Sequence, residues 1–275
     1  MTRYTRRTRR TLQVTGVGVA ALLALSACSS GSDSSSKKDS SSASKDSAKK
    51  VTGTVTVFAA ASLKESFTTL GKDFEKAHPG TKVTFSFGGS DTLAASITGG
   101  APADVFAAAS PKTMAIVTDK KDAATAPSTF VRNQLEIATL PGNPDKVASL
   151  KDLTKSDLKV VLCDKTVPCG AAAQKALDAS KLKLTPASYE QDVKSALTKV
   201  ELKEADAAVV YKTDVKAAGG NVDGVEFPES ANAINDYPIA LLKDAPNAAA
   251  AKEFIALVQS AEGQKVLTAA GFLKP

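Results

Sequence analysis

The 275-residue chain carries 35 basic and 29 acidic residues, a formal net charge of +6, with a single histidine. Five of the basic residues are arginines in the acid-free stretch 1–27, which leaves 30 basic against 29 acidic residues and one arginine, Arg132. That balance offers no support for an electrostatic nucleic-acid surface, and a lone arginine excludes a phosphate site built from several guanidinium clamps.

Arg3, Arg6, Arg7, Arg9 and Arg10 precede an apolar run, Val14–Leu25, which ends in Leu25-Ser26-Ala27-Cys28. A positive start, a short apolar stretch and a small-residue cleavage site make residues 1–27 an export signal, too short for a membrane span. The Leu-x-Ala-Cys box resembles a bacterial lipoprotein signal. This implies that Cys28 is lipidated, becomes the mature N-terminus and anchors the protein to the outer face of the cell membrane. Arg9-Arg10 also resembles a twin-arginine signal, so two export routes stay open. The rest of segment 28–50 holds no large apolar side chain and reads as a disordered Ser/Lys-rich tether. Cys163 and Cys169 remain as a pair outside the cytoplasm, where disulfides persist. A bridge is favoured over free thiols, and so short a loop adds about 2 kcal/mol. Two cysteines without a histidine partner make no metal site.

The folded part begins with a strand at Thr54–Phe58 and a helix whose apolar face is Leu63, Phe67, Leu70 and Phe74. Ser62 stands as the N-cap between them, with Glu65 completing a capping box. His78-Pro79-Gly80 ends that helix, and Thr81–Phe87 alternates as a second strand. Gly88-Gly89-Ser90 repeats the device: small residues and a hydroxyl cap ahead of a helix carrying Leu93 and Ile97. A short strand at Ala103–Ala107 and a helix near Pro111–Thr118 follow. From Arg132 the pattern restarts with a strand at Leu135–Leu140, a helical turn at Leu150–Leu153, a strand at Leu158–Leu162 and a helix at Gly170–Leu177. Tyr189–Val200 is amphipathic, Ala205–Tyr211 is an apolar strand, and the chain returns through Val225–Phe227 to Asp236–Leu242. Helices at Ala248–Ala261 and near Gln264–Ala270 close it. Alternating strands and helices give an α/β class with largely parallel sheets. The restart and return divide it into two lobes, residues 51–130 plus 237–275 and residues 131–236.

In such sheets ligands bind beyond the carboxyl ends of the strands. Ser62 and Ser90 both occupy that position, each where a helix start offers unpaired N–H groups and a positive dipole end to an anion. An ordinary capping role is the plainer reading of either serine alone.

VFAAASL (Val57–Leu63), SFGGSDTLA (Ser86–Ala94), GAPADVFAAAS (Gly100–Ser110), QDVKSAL (Gln191–Leu197) and EADAAVVY (Glu204–Tyr211) resemble the molybdate-binding proteins of ABC importers. The resemblance covers essentially all of residues 51–275. It implies a two-lobed, type II periplasmic-binding-protein fold with the ligand cleft between the lobes, closing on a hinge. It also implies a monomeric, non-enzymatic receptor that delivers molybdate or tungstate to an ABC permease, with no cofactor. Carried over position by position, Ser62 and Ser90 give hydroxyl and amide, Cys169 and Val193 give backbone N–H groups, and Tyr211 gives its phenolic O–H. In this set the molybdenum is met only through its oxygens. Cys169 stands where the family often has alanine, and Asp91, where a hydroxyl or small residue is common, is expected to point outward along its helical turn. An all-donor set suits anions that carry no proton, which favours molybdate and tungstate over phosphate, while sulfate is separated by size. An exported serine hydrolase lacks a base, because His78 reads as a helix terminator. An iron receptor lacks adjacent tyrosines.

Overall fold

The computed structural model describes residues 51–275; the signal, the Cys28 acceptor and the tether lie outside the described residues. The chain opens with β1 (Gly53–Ala60), a 3-10 turn at Ala61–Leu63, α1 (Lys64–Ala77), β2 (Thr81–Gly88), α2 (Ser90–Thr98), β3 (Val105–Ala107), α3 (Pro111–Asp119) and β4 (Ser128–Asn133). After a single intervening residue, β5 (Leu135–Thr139) begins a second set: β6 (Val160–Cys163), α4 (Pro168–Ala179), β7 (Ser188–Glu190), α5 (Val193–Glu201), β8 (Ala207–Tyr211), α6 (Lys212–Ala218) and β9 (Asp223–Val225). The return strand β10 (Asn235–Leu241) leads to α7 (Ala248–Gln259) and α8 (Ala261–Ala269).

The strands form two sheets, in the orders β2-β1-β3-β10-β4 and β7-β6-β8-β5-β9. Both are mixed. β1 pairs in parallel with β2 and β3, and β6 with β7 and β8. β10 runs antiparallel to β3 and β4, and β5 antiparallel to β8 and β9. The parallel strands are those joined through helices, whereas β10 enters its sheet from the other set. The chain passes between the sheets at Asn133–Leu135 and again at Ala233–Asn235.

Each sheet has its own core. Under the first, Phe67 of α1 packs edge-on against Phe254 of α7, with centroids 5.9 Å apart, and also touches Phe85 and Phe130. Fully burying such side chains is worth about 1.5–3 kcal/mol each. The second core is largely aliphatic, from Leu135 and Ile137 through Val160–Leu162 to Val209 and Val210. Three differences from the sequence reading have local causes. The amphipathic stretch from Tyr189 begins as edge strand β7 and turns helical only at Val193, because Asp192 caps α5 there. β4 and α6 lack a distinct periodic signal; β4 is a sheet-edge strand and α6 is seven residues long.

Candidate functional site

The two sheets meet around a cavity of about 20 Å³, lined by Ala60, Ala61, Ser62, Gly88, Gly89, Ser90, Ala109, Val167, Pro168, Cys169, Asp192, Val193 and Tyr211. Ser62, Ser90, Cys169, Val193 and Tyr211 all border this one space, and none is more than 4% exposed. Four chain turns into helix end here: the 3-10 turn leading into α1, and the first residues of α2, α4 and α5. The first N–H groups of a helix have no acceptor within it, so these ends leave donors at the cavity, although Asp192 takes the Lys194 and Ser195 N–H groups of α5. No lysine, arginine or histidine stands among the described residues that line it.

The serines do not act as the caps that their positions suggest. Ser62 lies inside the 3-10 turn, and its Oγ is 2.8 Å from the Tyr237 hydroxyl. Glu65 does not reach back to cap its own helix; its carboxylate meets Lys194 Nζ of α5 at 3.0 Å, across the cleft. Gly89 is the N-cap of α2, and Ser90 is its first helical residue, with Oγ accepting the Ala109 N–H at 3.0 Å. In both cases a tertiary partner outcompetes the local cap.

Asp91 does not point outward. Its Oδ1 is shielded from solvent, without a hydrogen-bond partner among the described residues, and folds back toward Gly89 while staying out of the cavity lining. Asp192 is a lining residue absent from the sequence reading. Its Oδ1 accepts the Lys194 and Ser195 N–H groups at 2.8 and 3.0 Å, and its Oδ2 accepts the Ser195 hydroxyl. The signal for it was an Asp directly ahead of an apolar helical repeat. Most of its accepting capacity is thus engaged by its own helix.

Cys163, at the end of β6, and Cys169, in the first turn of α4, are joined by a disulfide, their Cα atoms 5.8 Å apart. The helix start is pressed against the preceding loop: a Cβ on Gly170 would lie 1.9 Å from the Asp164 carbonyl oxygen. Tyr211, in the same half of the molecule, is held by Asn235, whose Nδ2 donates to its hydroxyl at 2.7 Å. Burial, with the neighbouring Tyr237 and Asp214, pushes the Tyr211 phenol far above its ordinary value, so it stays a neutral donor. Behind it, Asp214 is fully buried and pushed up to about 6 by that burial, against the pull of Lys194 at 3.1 Å. Among the described residues no cluster of His, Cys, Asp and Glu can hold a metal ion.

The geometry is that of a small chamber bordered by hydroxyls and helix starts from both sheets. The family model for bacterial extracellular solute-binding proteins matches residues 55–273. A molybdate-binding protein, ModA, of Mycobacterium tuberculosis is 42% identical over 221 residues, covering 80% of this chain and 85% of that protein. A putative ABC transporter substrate-binding lipoprotein, YvgL, of Bacillus subtilis is 33% identical over 242 residues, covering 85% and 90%. The periplasmic molybdate-binding protein of Azotobacter vinelandii superposes with a TM-score of 0.70 at 21% identity, covering 80% of this chain and 99% of that one. Its likeness bears on the fold, which is the two-lobed type II arrangement. The chain belongs to the bacterial extracellular solute-binding proteins.

Proposed function

We propose that this protein is an extracytoplasmic receptor for molybdate, and for tungstate, which it delivers to an ABC permease. One observation carries the reading: four helix starts and a buried tyrosine surround one cavity whose described lining holds no cationic side chain. A dianion there is held by hydrogen bonds to neutral groups. Each helix end contributes about 0.3–1 kcal/mol, more when desolvated, so tight binding needs several acting together. Ser62 and Ser90 give hydroxyl and amide, Cys169 and Val193 give amides, and Tyr211 gives its O–H. The identity to proteins named for molybdate supports the choice of ion.

The main competitor is another tetrahedral oxyanion. Hydrogen phosphate carries a proton and needs an acceptor, and the one carboxylate in the described lining, Asp192, has most of its accepting capacity engaged by α5. Sulfate carries none and is separated only by size. Titration calorimetry with a panel of oxyanions tests the assignment: molybdate and tungstate bind tightly, and sulfate about 100-fold more weakly or worse. Equal affinity for sulfate overturns it.

The receptor would act as a monomer, and closing the lobes on the anion would be the signal that the permease reads. Cys28 would carry the lipid, with the Ser/Lys-rich segment as spacer. A Cys28→Ser variant should then leave the membrane fraction for the medium. Retention at the membrane would reject the anchor.

A further inference from the structure

The three hydroxyls at the cavity share a feature that their positions alone do not require: each oxygen already has a hydrogen-bond partner from inside the protein. Ser90 Oγ accepts the Ala109 N–H at 3.0 Å, Tyr211 Oη accepts Asn235 Nδ2 at 2.7 Å, and Ser62 Oγ is paired with Tyr237 Oη at 2.8 Å. Two asparagines sit at the ends of this arrangement, at the last residue of β4 and the first of β10, the two places where the chain passes between the sheets.

Their amide orientations are set by backbone partners rather than by choice. Asn235 Nδ2 faces the carbonyl oxygens of Ala109 at 3.0 Å and Pro168 at 3.3 Å, so the NH2 end must lie there. Asn133 Oδ1 accepts the Gln134 N–H at 3.0 Å, which turns its Nδ2 toward Thr213 Oγ1 at 2.8 Å and Tyr237 Oη at 3.3 Å. An amide NH2 can only donate. Tyr237 Oη, receiving from Asn133, has its own proton available for Ser62, an arrangement that leaves the Ser62 hydrogen for the cavity. Tyr211 Oη, 2.7 Å from the Asn235 NH2 and sharing that group's two hydrogens with the Ala109 and Pro168 carbonyls, is likewise disposed to donate toward the cavity.

We propose that Asn235 and Tyr237 are positioning residues for specificity: by donating to the oxygens of Tyr211 and Ser62, they bias both hydroxyls toward presenting hydrogens to the anion. A hydroxyl left to itself can rotate and accept, which would admit a protonated oxyanion; one whose oxygen already receives a hydrogen bond keeps fewer lone pairs for that. The inference deepens the molybdate-receptor reading and rests on it. It predicts that selectivity for unprotonated ions is set one layer behind the residues that touch them.

The test is a pair of double-mutant cycles read by calorimetry, with molybdate and inorganic phosphate as ligands. One cycle joins Asn235→Ala and Tyr211→Phe, the other Tyr237→Phe and Ser62→Ala. Each single variant is expected to lower molybdate affinity about 10- to 100-fold. If Asn235 acts through Tyr211, adding Asn235→Ala to Tyr211→Phe costs little more, and the same holds for the second pair. In Asn235→Ala and Tyr237→Phe the preference for molybdate over phosphate should narrow about tenfold, because a freed hydroxyl can accept a proton. Additive losses, or equal loss for both ions, would overturn the proposal. Tyr237→Phe removes one oxygen from a packed ring and keeps the second cycle readable should Asn235→Ala fail to fold. The wild-type panel stands apart from the cycles: if molybdate does not bind and sulfate does, the choice of ion fails, and both cycles are read with sulfate.

Discussion

At the scale of single residues, partners distant in sequence decide what each group does. Ser62 and Ser90 are visible in the sequence as hydroxyls at strand-to-helix turns, but their partners lie 175 and 19 residues away, and no local pattern encodes that pairing. The capping reading failed for that reason. Ser90→Ala removes a cavity hydroxyl and leaves the Ala109 N–H without its acceptor, so molybdate affinity should fall by about 1–3 kcal/mol in calorimetry. Asp214 brings pH into the fold. Its carboxyl is raised from 3.8 to about 6, so between those values the folded state holds a proton that the unfolded chain has lost. Its contribution to stability is therefore full below about pH 4 and lost as pH rises through about 6. Asp214→Asn should flatten that part of the stability profile in thermal unfolding; an unchanged slope would reject the assignment.

At the scale of elements, long periodic segments were the legible ones. The face Leu63, Phe67, Leu70 and Phe74 is fully buried as its spacing requires, with Leu63 in the turn just ahead of α1. Short elements were not legible: β7 is three residues long and α6 seven, too few for a period to show. The start of α4 also depends on a contact that no spacing reveals, the approach of Gly170 to the Asp164 carbonyl beside the Cys163–Cys169 bridge. Gly170→Ala must push the helix off that loop and should cost about 1–3 kcal/mol of stability, read as a lowered Tm. Since Cys169 carries one of the cavity amides, the same variant should also weaken anion binding.

At the scale of the whole molecule, α/β alternation and the restart near Arg132 made a two-lobed body legible, because each lobe buries its own apolar set. The contacts that bring the lobes together were hidden, since they join residues from different sheets. Gly89 faces the Gln191 carbonyl, where a Cβ would stand 2.6 Å from the oxygen. Gly89→Ala should hold the lobes apart, lowering molybdate affinity about tenfold or more while leaving Tm within a few degrees. Lys194 bridges Glu65 and Asp214, and its ammonium is raised by those two carboxylates in spite of burial. Lys194→Met breaks that bridge and should raise the dissociation rate of the anion in stopped-flow measurements; an unchanged rate would show that the bridge is idle.

Dipoles that hold an ion offer no opposite charge for salt to screen or for a proton to cancel. The donors are also divided: Ser62 and Ser90 belong to one half of the molecule, and Cys169, Val193 and Tyr211 to the other. Unloading such a chamber therefore needs neither acid nor a competing ion. On the proposed donor set, a partner that pried the halves apart by the width of one hydrogen bond would strip the cargo of one set of donors at a stroke, and discharge would be a mechanical act.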